Sequence, residues 1–389
     1  TVIDHSINKN LKEDGLFHSY NLLALSDNKA AIKNLYPMLE GQVAALCSTA
    51  VSPAKAADVL DALYAGDIFR PDQNTFMLYP DKNQVGFLAK NIVPTEQIKH
   101  IPVLMEMLKH NELSVVSQDV KGNYRFNANL KNSTDLLAQL KRLMPQYAEL
   151  TQFTSTQIEN LYEQVFNHQA FTGRSGAMFG FEGLGSVYWH MVSKLLLAVQ
   201  EHFFQALDDD AAPELIKRLG DLYYRVRQGI GFNKKPEEYG AFPCDPYSHT
   251  PKHAGAQQPG MTGQVKEEIL TRFGELGIKV EQGEVRFAPR LLRKQEFTQS
   301  TQIFRYLDLS DQWQKIALPV NGIAFTWCQV PVVYELTEGD SMLTMTLAEG
   351  EQLRGKFNSL DQALSNELFT RSGKIKSIRV LINSSYLFD

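Results

Sequence analysis

The chain has 389 residues, 43% of them apolar and 21% charged, with a formal net charge of −5. Such a composition belongs to an ordinary globular protein with enough apolar mass for two or three domains. It excludes the basic stripe of a nucleic-acid surface and a polybasic membrane anchor, and there is no apolar run of about 18 residues to span a bilayer.

The first three-quarters reads mostly helical. Asp14-Gly15 precedes an apolar stretch from Leu16 to Leu25, with Asp14 either its cap or a site carboxylate beside His18 and Tyr20. Between Ala30 and Ala50, Ile32, Leu35, Leu39, Val43 and Leu46 recur at helical spacing. Ser52-Pro53 starts a further helix, since proline is tolerated in a first turn, and this helix ends near Gly66. The helical pattern fails from Asp67 to Pro102, where Phe69 to Asp81 forms a long polar and aromatic loop. A short helix follows near Val103 to Leu108. A hairpin turning at Lys121-Gly122-Asn123 comes next, then helices over about 135–143 and 156–167. A glycine-rich stretch, Gly173 to Gly185, opens a long amphipathic helix with the stripe Leu184, Val187, Tyr188, Met191, Leu195, Val199 and Phe203. Another helix covers about 213–226, and a second long loop, Gly229 to Gly263, leads into a last helix from Gln264 to Gly274. After Gly277 the texture alternates instead, with a hairpin around Gln282-Gly283 and several further strands up to Ile382. A boundary between residues 1–277 and 278–389 follows from this change.

Long irregular loops in a compact chain tend to carry function. The stretch from Gly173 to His190 holds Arg174, Glu182, Tyr188, Trp189 and His190. Glycines admit a ligand close to the backbone, and aromatic faces stack on sugar rings. The plainer alternative is that Glu182 complements a helix N-terminus and Trp189 is core. The stretch from Glu237 to Gln264 gathers Asp245, Tyr247, His249, Gln258, Thr262 and Gln264. Thr262-Gly263 leads into a helix whose free N–H groups favour an anion. Its alternative is a loop whose polar groups satisfy its own backbone. Asp245, His249 and His253 also suit zinc, but Pro246 and Pro251 argue against the helix that would align them, so no metal is expected. Asp72, beside Arg70 in the 69–81 loop, is a third carboxylate candidate.

Cys47, Cys244 and Cys328 are odd in number and widely spaced, which points to core or loop thiols rather than a disulfide framework. No Walker loop, dinucleotide fingerprint, nucleophile elbow or zinc-protease motif occurs. Carboxylate chemistry on aromatic loops remains. It suits glycosidic cleavage, in which an acid protonates the leaving oxygen while a base activates water or phosphate attacks directly.

Three segments resemble the six-hairpin glycosidases, and among them the cellobiose-phosphorylase-type enzymes of the glycoside hydrolase family 94 kind and their large bacterial relatives. They are Asp14 to Asn21, Met38 to Ala44, and Pro259-Gly260-Met261-Thr262-Gly263-Gln264. The last is similar to the Gly-Gly-Gln stretch that those phosphorylases place at their phosphate and sugar site. The resemblance spans about residues 10–290. It implies a mainly α architecture: an (α/α)6-toroid-like domain over 1–277, then a β-sandwich-like domain over 278–389. The family's Asp-Trp-Asn-Asp acid run does not occur, so Asp14, Asp72, Glu182 and Asp245 stand as carboxylate candidates from their context, the last three taken as the catalytic ones.

The expected function is an inverting glycoside hydrolase or phosphorylase acting on an oligosaccharide. Glu182 would pair with Asp245 or Asp72, and an inverting pair lies about 6.5–9.5 Å apart. Arg174, Tyr188, Trp189, His190, Tyr247, His249, Gln258, Thr262 and Gln264 would hold the substrate. No cofactor is expected beyond inorganic phosphate as a co-substrate. A non-catalytic glycan-binding module, or a fragment of a larger enzyme, is the alternative. The chain opens on Thr1 rather than Met, as a piece of a longer protein would. No signal peptide is visible, and a soluble protein of a bacterial cytoplasm or periplasm is expected, its oligomeric state left open.

Overall fold

The computed structural model describes residues 2–19, 21–26, 28–48, 50–80, 85–167, 187–230, 262–355 and 357–388. The chain divides into two compact units, one of residues 1–80 with 187–389 and one of 81–186.

The chain starts with α1 (Val2–Lys9) and a hairpin of β1 (Leu22–Ser26) and β2 (Lys29–Lys33). Asp14 caps no helix: its Oδ1 accepts the Leu16 amide at 3.1 Å within a turn, and Gly15 supplies a positive φ of 86°. The periodicity of 30–50 becomes a helix only in α2 (Leu39–Leu46). Gln42 of α2 is buried and clamps the Phe17 backbone, accepting its N–H at 2.7 Å and donating to its carbonyl at 2.8 Å. One side of the Met38 to Ala44 segment thus secures the chain. Helix α3 (Pro53–Ala65) begins with Ser52 accepting the Lys55 amide, and it buries Ala56, Ala57, Val59, Leu60 and Leu63. The polar-aromatic loop then folds into β3 (Phe69–Arg70), one 3-10 turn and β4 (Thr75–Phe76), paired antiparallel. Its aromatics serve packing, since Phe69 and Phe76 lie 5.0 and 4.8 Å from the Tyr64 ring centre.

The 81–186 unit contains α4 (Phe87–Lys90), α5 (Thr95–Lys99), α6 (Pro102–Lys109), the hairpin β5 (Val116–Gln118) and β6 (Tyr124–Phe126), α7 (Ser133–Leu143) and α8 (Gln152–Phe166). It closes around its own core, in which Ile98, Leu104, Val115, Leu136, Leu140 and Ile158 are fully buried. Buried Asn91 pins the hairpin by exchanging two hydrogen bonds with the Phe126 backbone, at 2.8 and 2.9 Å.

Helix α9 (Trp189–Asp208) is the axis of the other unit. Met191, Val192, Leu195, Leu196, Val199 and Phe203 bury one broad face, each contributing about 1.5–3 kcal/mol of apolar burial. Around it pack α2, α3, α10 (Pro213–Gln228) and α11 (Thr262–Glu275). Near the C-terminus Phe388 stacks on Tyr224 at 5.8 Å, and Gly220 leaves it room, because a Cβ there would sit 2.2 Å from the ring.

Beyond α11 come the hairpins β7 (Ile278–Glu281) with β8 (Glu284–Phe287) and β9 (Gln302–Leu307) with β10 (Trp313–Leu318). Gln282 and Gly283 turn the first with φ of 51° and 82°, the double positive that a two-residue hairpin loop demands. The strands β11 (Gly322–Trp327), β12 (Val330–Thr337), β13 (Met342–Leu347), β14 (Gln352–Gly355) and β15 (Ile375–Asn383) form one sheet in the order β11-β12-β15-β13-β14. β12 and β15 are parallel and the other pairs antiparallel. Helix α12 (Gln362–Phe369) packs Leu368 into the sheet's core.

The expected mainly α toroid followed by a β-sandwich is therefore corrected. Helix accounts for 42% and strand for 24% of the described residues, with small sheets distributed along the chain. The apolar stretches 16–25 and 30–50, expected to be helical, contribute the β1–β2 pair, and β3–β4 forms within the expected 69–81 loop. The C-terminal core lies between one mixed sheet and a helix, and β7–β8 and β9–β10 are separate two-stranded sheets.

Candidate functional site

Helices α9 and α11 pack side by side, and their contacts advance together. His190 lies against Glu267, while Gln200 donates to the Thr271 carbonyl at 2.8 Å. A Cβ at Gly274 would meet the Gln200 side chain at 2.1 Å, so this glycine allows the close approach. The two helices run in the same sense and share the end at which each begins. Their partial positive charges therefore add at that end.

The contact is unusual in composition. The face of α11 that is buried carries Glu267, Thr271 and Glu275, while Ile269 and Leu270 are exposed. Spacing of four residues puts the three polar side chains on one stripe. A buried polar seam must be satisfied, and its far half is. Glu275, 0% exposed, accepts from the Tyr223 hydroxyl at 2.6 Å and pairs with Arg227 at 2.9 Å and Arg272 at 2.5 Å. Arg272 also reaches Glu296 at 2.7 Å. Burial and the Glu275 carboxylate drive the Tyr223 phenol well above its ordinary range.

The near half differs. Glu267 has a side chain only 5% exposed, and its Oε1 stands 3.7 Å from Nε2 of His190, beyond hydrogen-bond reach. Glu267 Oε2, His190 Nε2 and Ser193 Oγ are buried with no hydrogen-bond partner among the described residues. Ser193 follows His190 by three residues on α9, hence one turn along the same side. Tyr188 sets its ring edge-on to His190 at 5.8 Å. Lys266 Nζ lies 3.9 Å from Glu267. Imidazole, carboxyl and hydroxyl together can accept and donate to a polar ligand, or pass a proton between two positions.

Of the expected site residues, Tyr188, Trp189 and His190 stand at the start of α9. Thr262 and Gln264 lie in the first turn of α11; their side chains, together with Arg174, Glu182, Asp245, Tyr247, His249 and Gln258, fall outside the described residues, as does His253. Asp72 is in an exposed 3-10 turn, held by Arg70 at 3.0 Å. The Arg70 hydrogen bond lowers its carboxyl below the ordinary range, which suits an ionised carboxylate better than a proton donor. Glu267 was not singled out from the sequence. The available signal was a polar stripe at four-residue spacing, Glu267, Thr271 and Glu275, with carboxylates at its i and i+8 positions. Among the described residues, no three His, Cys, Asp or Glu side chains cluster as metal ligands, and no helix is long and apolar enough to cross a membrane.

Comparison with known families adds a separate line of evidence. Residues 84–169 match the GH149 phosphorylase insertion domain 2. The match relates this part of the chain to glycoside phosphorylases, and thereby to carbohydrate metabolism. It covers the α4 to α8 region with its independent core. It does not extend to the family 94 type or to a six-hairpin architecture. No curated protein matches the chain.

Proposed function

We propose that the protein is, or is part of, a glycoside phosphorylase that cleaves an oligosaccharide with inorganic phosphate. The observation that carries this reading is the match of residues 84–169 to a phosphorylase insertion domain. In the proposed reaction an acid protonates the glycosidic oxygen, the C–O bond breaks, and a phosphate oxygen bonds to the anomeric carbon with inversion. Thr262 and the adjacent amides at the start of α11 would favour the phosphate through their free N–H groups. Glu182 and Asp245 remain the carboxylate candidates, with Tyr188, Trp189 and Tyr247 to stack the sugar and Arg174, His190, His249, Gln258 and Gln264 to bind its hydroxyls or the phosphate.

Support for placing the site at the shared start of α9 and α11 comes from the described ends of the two candidate stretches. Residues 187–190 and 262–267 meet there through His190 and Glu267. Because the family match falls on an insertion domain, a second reading is that this chain supplies one portion of a larger enzyme's site. The test is incubation with a panel of gluco-disaccharides, with and without phosphate, reading sugar 1-phosphate. Phosphate-dependent product is expected. Sugar release that ignores phosphate would make it a hydrolase, and a folded protein that leaves every disaccharide intact would refute the proposal for this chain alone.

A further inference from the structure

We infer that Glu267 and His190 form a receptor for one sugar hydroxyl, a pair that selects the glycosyl unit rather than the phosphate. The inference rests on the carbohydrate reading above and assigns a ligand to residues that reading had not used together.

A buried polar seam runs between α9, α10 and α11. At its far half the buried carboxyl of Glu275 has a tyrosine and two arginines. At its near half the carboxyl of Glu267 is almost as deeply buried, yet Oε2 has no hydrogen-bond partner. Leaving a buried polar atom unmet is destabilising, and more so for a charged group. Three such atoms, on Glu267, His190 and Ser193, occur within the same few turns. Clustered groups with no partner among the described residues, at one end of an otherwise satisfied seam, are where a bound ligand would be received.

Chemistry narrows the class of that partner. A hydroxyl is donor and acceptor at once. Placed between the two side chains, it donates to the Glu267 carboxyl and accepts from an imidazole N–H. The 3.7 Å separation is too long for a direct hydrogen bond between them. A phosphate there would bring an anion against a carboxylate in a partly dry setting, where like charges repel most strongly. Among the described residues a divalent metal would find one carboxyl and one imidazole, fewer protein ligands than a stable site provides. The His190 side chain is 25% exposed, while its Nε2 and the Glu267 Oε2 are themselves buried, so a hydroxyl reaches them only by moving the exposed part of the imidazole aside. Tyr188, edge-on to that imidazole, gives the sugar's C–H face an apolar surface beside it.

The experiment compares the wild type with E267Q and H190N, both close in shape and altering opposite partners of the hydroxyl. Binding of gluco-disaccharides is read by saturation-transfer NMR, and KM and kcat for disaccharide and for phosphate by sugar 1-phosphate formation. Circular dichroism melting shows which variants are folded, and either folded variant suffices. The expected result is a rise of about tenfold or more in Kd and KM for the disaccharide, the loss of one hydrogen bond to a charged group, with KM for phosphate little changed. Unchanged disaccharide binding in a folded variant overturns the inference while leaving phosphorolysis intact. Disaccharide binding that is lost in the variants, by a wild type with no phosphate-dependent turnover, upholds the inference and refutes phosphorolysis. A wild type that neither binds nor turns over any disaccharide refutes both.

Discussion

His202 sits in the middle of α9, buried, with its Nε2–H donated to the Leu46 carbonyl at 3.0 Å. Burial holds its imidazole below the ordinary 6.5, against the opposing pull of that carbonyl. The folded chain therefore refuses a proton that the unfolded chain accepts. The sign follows: the contribution of neutral His202 is complete above pH 6.5 and declines as pH falls towards the depressed folded value. H202Q removes this titration. Thermal midpoints taken between about pH 7.5 and 5.5 should fall more steeply for the wild type than for H202Q; parallel curves would show that His202 is not the group responsible. The residue itself gave little warning of this role. A histidine within an apolar helical stripe is visible in the sequence, but its carbonyl partner lies 156 residues away.

At the scale of elements, α11 departs from the usual rule that a helix turns its apolar side inwards. Its buried stripe is Glu267, Thr271 and Glu275, and what makes this tolerable is the set of partners on α9 and α10. Replacing Glu275 by Ala would remove the buried carboxylate on which Arg227, Arg272 and the Tyr223 hydroxyl converge, although Arg272 keeps Glu296. Removing one member of a buried ion network costs about 3–5 kcal/mol, and the partly exposed arginines place the expected loss near the lower end, at about 3 kcal/mol. Chemical denaturation of E275A measures it, and a loss below about 1 kcal/mol would mean that the arginines find water readily. Helices with conventional stripes were easier to read. Ser52-Pro53 marks the start of α3, and Leu195, Val199 and Phe203 mark the buried side of α9. The pattern over 30–50 misled because β2 and the start of α2 fall within one apparently helical period; short apolar runs satisfy both periodicities.

At the scale of the molecule, the 81–186 unit has a core of its own, from Val93 to Tyr162. A segment of that size with a private core can fold alone. Residues 81–186 produced in isolation should show one cooperative thermal transition by circular dichroism. A gradual, non-cooperative loss of signal would mean that its core depends on the rest of the chain. The phosphorylase-domain match covers nearly the same interval, 84–169, so the unit defined by packing and the unit defined by family agree.

Read alone, the sequence determined the local features whose causes are local. These are the Gln282-Gly283 hairpin, the Gly122 turn, the α3 cap, the long apolar side of α9, and the change to strands after residue 277. It also pointed to carbohydrate chemistry of the phosphorylase kind, to which the 84–169 match is related. Only the tertiary structure decided that 81–186 packs as a separate unit, that the C-terminal strands make one mixed sheet, and that Glu267 meets His190 while Glu275 meets Arg227 and Arg272. The physical reason is distance along the chain. Periodicity and turn chemistry are set by neighbours a few residues apart, whereas a buried charge is stable only if partners from remote helices arrive beside it, and no spacing within one helix records that arrival.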